Sequence, residues 1–149
     1  MKKGIILWII LAAFLCGCAQ PSKGADAVRK EPPTLTISIG DETIKADRGS
    51  YSWSYERDDG SGVGLQADGP VPPVMVEDSD APEVSSSADL DLHFDREPES
   101  YELRVWKENG GSDPYEQLES YKGRTIFGVI AEWEQGKAVY AFAVNVKDE

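Results

Sequence analysis

The chain predicts an all-β fold, an antiparallel β-sandwich of immunoglobulin-like size, with a small open β-barrel as the alternative architecture. Three features predict it. Apolar and polar residues alternate with period two in stretches between residues 34 and 147. Clusters of Gly, Pro, Asn and Asp separate those stretches. No segment after the N-terminus holds a 3.6-residue apolar period for more than two turns. About seven or eight strands over roughly 115 residues suit a sandwich. The paired core cysteines of true immunoglobulin domains are missing, so the likeness is one of size and pattern.

The elements follow in order. "TLTISI" places Leu35, Ile37 and Ile39 on one face and Thr34, Thr36 and Ser38 on the other. Gly40-Asp41 is a two-residue hairpin signal, and "ETIKA" is the return strand. "GSYSWSYE" sets Tyr51, Trp53 and Tyr55 against serines, the mark of a half-buried strand. Residues 57–73 read as one long connection, beyond the usual loop length and therefore functional or unstructured. A short strand is expected around Val74–Val76, followed by an acidic loop. "DLDLHF" alternates again, with Leu90, Leu92 and Phe94 inward. "YELRVW" sets Tyr101, Leu103 and Val105 against Glu102, Arg104 and Trp106. "YEQLESYKG" fits a single helical turn. "RTIFGVIAEWE" and "KAVYAFAVNVK" form a long hairpin turning at Gln135-Gly136. Phe127, Val129, Ala131 and Trp133 share one face of its first strand, and Tyr140, Phe142, Val144 and Val146 one face of its second. Ile126, Ile130, Val139, Ala141 and Ala143 make the opposite face apolar too, which predicts central strands.

Composition narrows the function. The chain of 149 residues carries 15 Lys+Arg against 27 Asp+Glu, a formal net charge of −12. Two of the basic residues, Lys2 and Lys3, precede every acid, so the body is more acidic still. Such a surface repels phosphate backbones and anionic headgroups, which disfavours nucleic acid and direct adhesion of the body to lipid.

The N-terminus has three zones. Lys2 and Lys3 give a positive start, Ile5 to Leu15 is a run of eleven uncharged apolar residues, and Cys16-Gly17-Cys18-Ala19 is small and compact. That is the layout of a secretory signal peptide. As a helix, the run spans about 16 Å, short of a hydrocarbon core of ~30 Å, so a spanning helix is the lesser alternative. Leu15-Cys16-Gly17-Cys18 resembles the lipobox of bacterial lipoproteins: Leu, a small residue, Gly, then the modified Cys. Cys16 stands where that motif usually has Ala or Ser. The resemblance implies cleavage after Gly17 and a diacylglyceryl thioether on Cys18, with Cys16 discarded. It covers residues 1–20 and identifies the chain as similar to small bacterial lipoproteins; no family resemblance is drawn for the body. A cut after Ala19, giving a soluble secreted product, is the competing outcome. Cys16 and Cys18 sit too close in sequence for an unstrained disulfide. The expected organisation is a leader at 1–17, a lipidated N-terminus and flexible tether at 18–33, and one β domain at 34–149. Fully extended, the fifteen residues Ala19 to Pro33 would reach about 50 Å.

Few residues of the body carry chemistry. His93 is the only histidine and lies on the polar face of its strand among Asp89, Asp91 and Asp95, where an exposed side chain is the ordinary outcome. No serine occupies a G-x-S-x-G elbow, and one His without a retained Cys cannot build a usual zinc shell. "ERDDGSG" (56–62) and "EDSDAPE" (77–83) offer oxygen ligands for calcium but lack EF-hand spacing. No cofactor is expected. Trp106 is the candidate contact residue: it is out of phase with the inward face of its strand, so it lies under a loop or in an exposed patch. The resulting expectation is an extracytoplasmic lipoprotein at the cell membrane, anchored through Cys18, whose non-catalytic β domain touches an envelope protein or wall polymer. An envelope enzyme using acidic residues and a calcium-responsive accessory protein are the alternatives.

Overall fold

A computed structural model of the protein describes residues 30–107 and 109–148. In chain order it contains β1 (Leu35–Ile39), β2 (Glu42–Lys45), β3 (Asp47–Glu56), β4 (Gly62–Ala67), the one-turn helix α1 (Pro72–Met75) and β5 (Glu83–Ser85). There follow β6 (Leu90–Phe94), β7 (Ser100–Trp106), β8 (Ser112–Pro114), a 3-10 turn (Leu118–Ser120), β9 (Gly123–Trp133) and β10 (Gly136–Lys147). The strands form two sheets, one ordered β2-β1-β6 and the other β4-β3-β10-β9-β7-β8. All pairs within those orders are antiparallel; β5 joins β10 in parallel at Asn145–Lys147. The sheets stack as an open sandwich and do not close into a barrel.

Alternation in the sequence becomes the interior. Leu35, Ile37 and Ile39 of the small sheet are fully buried against Phe127, Val129, Tyr140, Phe142 and Val144 of the large one. Each such side chain contributes about 1.5–3 kcal/mol through removal from water. Aromatic rings gather at two ends of this layer. Trp133 meets Trp53 at 5.6 Å and Phe94 at 5.7 Å, both edge-on. At the other end Phe127 and Phe142 stack at 4.8 Å, with Tyr115 and Tyr121 against Phe127. The edge-on and stacked arrangements suit the charge distribution of the rings.

Several segments differ from the sequence expectation. Residues 62–67 of the long connection form β4, paired to β3 with Trp53 opposite Leu65. The alternation Val63, Leu65, Ala67 is interleaved with Gly62 and Gly64, which read as loop. Residues 74–76 are not a strand. Pro72 sits in the first turn of α1, where its fixed φ is preset for a helix and its missing N–H costs nothing. Val76 follows it and is fully buried. The short strands β5 and β8 lie in stretches read as loop; three residues show no period, and pairing to β10 and β7 creates them. The hairpin turn is Glu134-Gln135, with Gly136 already paired to Trp133.

Residues 31–33, read as the end of the tether, are held on the body. Arg48 donates to the Pro32 carbonyl at 2.8 Å and to Glu31 Oε2 at 2.7 Å. The buried Tyr140 hydroxyl donates to the Pro33 carbonyl at 2.6 Å. Burial pushes the Tyr140 phenol well above its ordinary value of 10.0. The unfolded chain releases that proton near pH 10 whereas the folded chain retains it, so the stability tied to Tyr140 is complete below pH 10 and declines above it. Tyr140→Phe should therefore lose about 1–2 kcal/mol at pH 7, from the orphaned carbonyl. It should also show a shallower loss of stability than the parent between pH 10 and 12, measured by urea denaturation across pH.

Candidate functional site

The large sheet is apolar on both faces at its centre, so the back face, away from the small sheet, also needs a cover. Ala141 and Ala143 of β10 and Ile126 of β9 lie there beneath Met75, Val76 and Ala81. The cover is residues 68–82, a strap crossing the sheet through α1. Two close approaches seat it. β3 bulges against β10 between Ala138 and Tyr140, where Gly49 and Ser50 together stand opposite Val139. A Cβ on Gly69 would fall 2.8 Å from the Ser50 nitrogen and 3.0 Å from the Gly49 carbonyl carbon, so only glycine allows the strap backbone to rest on the bulge. Further across, a Cβ on Gly128 would lie 2.8 Å from Trp106 Nε1 and 3.1 Å from Pro72 Cγ. The missing side chain at Gly128 lets the indole and the proline ring both settle onto β9.

The strap does not cover the whole apolar face. A hollow of about 200 Å³ remains beside it, with Gly128, Ile130 and Val139 from β9 and β10, Trp106 and Arg104 from β7, and Pro70 and Val71 from the strap. Trp106 is half-buried and forms one wall. Among the described residues its indole N–H meets no hydrogen-bond acceptor. Arg104 is spoken for: it donates to Ser112 Oγ at 2.9 Å and to the Ser112 carbonyl at 2.8 Å, and it pairs with Glu102. Val71 and Val74 on the strap are 53% and 56% exposed.

Trp106 also borders a more polar groove of about 430 Å³, whose cations already have partners. Lys107 pairs with Asp113, Lys122 with Asp148 at 2.6 Å, and Arg124 donates to the Val76 carbonyl at 2.5 Å.

The remaining candidates lie apart from this face. His93 is exposed on β6 opposite Thr36. The neighbouring Asp95 carboxylate accepts from the Thr34 hydroxyl at 2.5 Å. In the 56–62 loop, Asp59 accepts from the Ser61 hydroxyl at 2.6 Å and the Ser61 N–H at 2.9 Å, and those bonds hold its carboxyl below the usual range. In the 77–83 stretch, Glu83 pairs with Lys147. Among the described residues no three His, Cys, Asp or Glu side chains converge on one point. No helix among them is long and apolar enough to cross a membrane. Cys18 and the leader lie outside the described residues.

Sequence reading marked Trp106 by its phase but missed Gly128, Ile130 and Val139 as its companions. Comparison of the chain with protein-family models, curated proteins and solved structures finds no match.

Gly128→Val should force Trp106 and Pro72 off β9. Overpacking of this kind costs about 1–3 kcal/mol. Urea denaturation should register that loss, and near-ultraviolet circular dichroism should show a changed tryptophan band while the far-ultraviolet β spectrum persists.

Proposed function

We propose that this chain is an extracytoplasmic lipoprotein of a bacterial cell membrane, attached through a diacylglyceryl group on Cys18, and that its β-sandwich is a non-catalytic binding module. One observation carries the attachment: the positive start, the eleven-residue apolar run from Ile5 and the Leu15-Cys16-Gly17-Cys18 sequence occur together and in the order that lipoprotein processing needs. Beyond Cys18 the chain contains no cysteine, so the thiol chemistry of the sequence is confined to the processing region. Stable membrane attachment takes two acyl chains or their equivalent, and a diacylglyceryl group provides them without help from an acidic body.

The binding role rests on the back face of the large sheet. A partly enclosed apolar hollow with an indole wall and the exposed Val71 at its rim is a contact surface for a protein or wall polymer of the envelope.

Expressed in a bacterium with lipoprotein processing, the chain should take up labelled palmitate and stay in the membrane pellet after carbonate washing. Cys18→Ser should abolish the label and move nearly all of the protein to the soluble fraction. Retention of Cys18→Ser in the pellet, or a mature N-terminal peptide still bearing Met1, would overturn the anchor.

A further inference from the structure

We propose that β4 is a self-association edge, where a second copy of this chain pairs antiparallel through its own β4 and joins the two large sheets into one. Four outer strands bound the sheets, β2 and β6 of the small one and β4 and β8 of the large one. Three of them are guarded. β2 carries Glu42 and Lys45, β6 carries Asp91, and β8 is three residues long with Asp113 and Pro114. Charge, proline and brevity are the usual means of keeping a strand edge from pairing. β4 has none of them. It is the longest of the four, six residues reading Gly-Val-Gly-Leu-Gln-Ala without a charge or a proline. Among the described residues it pairs with β3 alone. The hollow beside the strap takes no residue from it.

The ladder shows which main-chain groups are open. β3 and β4 pair without a register shift, and one step beyond their last pair the Arg57 N–H donates to the Ser61 carbonyl at 2.8 Å. Hydrogen-bonded and non-bonded pairs alternate along an antiparallel ladder. By that alternation Val63, Leu65 and Ala67 exchange bonds with β3, and the N–H and C=O groups of Gly62, Gly64 and Gln66 point to the open side. The Ser54 N–H agrees, since it turns away from Gly64 and donates to the Gln135 carbonyl at 2.8 Å. A Cβ on Gly62 or Gly64 would meet nothing within 4 Å, so no described side chain screens either residue from an approaching strand.

The open row is symmetric about Gly64, and that symmetry selects a copy of the same strand as its occupant. A two-fold axis through Gly64, perpendicular to the sheet, sets Gly64 opposite its counterpart and Gly62 opposite Gln66 of the second copy. Each of these pairs exchanges both main-chain bonds, so every open group of β4 is used. The same axis sets Val63 opposite Leu65 of the second copy on the inner face, both only half-buried in one copy alone. Apolar cross-strand pairs of this kind stabilise a sheet. On the outer face Gln66 meets the bare Gly62. Charge agrees. Two copies at −12 each repel through most of their surface, yet β4 brings no like charges together. A charged peptide, by contrast, would find no opposite charge on β4. An isologous contact closes on itself, so the assembly stops at two.

The test uses the full chain with Cys16→Ser and Cys18→Ser, in detergent, so its outcome does not depend on the proposed anchor. Hydrogen exchange of the Gly62, Gly64 and Gln66 amides, read by NMR, should slow at least about tenfold from micromolar to millimolar protein, because pairing alone covers them. Gly64→Lys has open space for its side chain and sets like charges face to face at the axis. It should abolish that dependence without lowering the urea denaturation midpoint. In Gly64→Cys the two Cα atoms stand about 5.5 Å apart, within the span of a disulfide, so mild oxidation should give a covalent dimer. Gln66→Cys lies roughly 14 Å from its counterpart in this register, and Thr43→Cys lies on β2, so both should stay monomeric. Exchange that does not change with concentration, or bridging of Gly64→Cys no greater than in these two controls, would overturn the inference. The same concentration dependence in Gly64→Lys as in the parent would overturn it too, since the copies would then meet elsewhere.

Discussion

The pairing of β9 with β10 is the interaction on which the rest of this structure depends. Its ladder runs unbroken from Gly136 opposite Trp133 to Val146 opposite Gly123. Both strands are apolar on both faces through their middle, so neither face can be left to water. One face demands the small sheet, and β1 meets that demand with Leu35, Ile37 and Ile39. The opposite face demands a second cover, and the described residues hold no third sheet to give it. A strap of fifteen residues around one helical turn takes that place. The hollow follows from the shortfall, because the strap is narrower than the face it covers.

The strap is seated by absent side chains as well as by the packing of Val76 and the bonds of Arg124. Gly69 rests on the Gly49-Ser50 bulge, and Trp106 and Pro72 rest over Gly128. These contacts fix where the strap lies and therefore where the uncovered remainder opens. Trp106 then has apolar surface on one side and a more polar groove on the other, which explains its intermediate exposure in a strand whose inward face is carried by Leu103 and Val105.

Much of this was legible in the sequence, and the limits have physical causes. Strict alternation reveals β1, β3, β6 and β7, because a strand with one wet face must alternate. The two-sided apolar character of residues 126–143 correctly marks the hairpin as central. β4 stays hidden because glycines occupy its solvent side and carry no polar signal. β5 and β8 are too short to have a period and exist through the strands they join. The helix at 72–75 is written as Pro-Pro-Val-Met, where valine suggests a strand but paired prolines preset the first helical turn. For the hollow, the phase of Trp106 was visible, whereas its companions were not. Gly128, Ile130 and Val139 belong to elements far from Trp106 in the chain, and only the β7-β9-β10 register brings them together.

Strand β10 has one more property of consequence. β3 flanks it from Gly136 to Ala141, β9 along its other side, and β5 from Asn145 to Lys147. This long segment of β-branched and aromatic residues thus shows little open edge to a neighbouring molecule. Such edges template aggregation, and nature usually blunts them with charge or proline. Here the guard is architectural. Fraying of the outer strands β2, β4, β6 or β8 leaves β10 enclosed, so release of its sticky backbone requires cooperative collapse of the whole sandwich. The apolar middle of the strand is thus protected from accidental fibre growth by topology, with the charges of Lys137 and Lys147 confined to its ends.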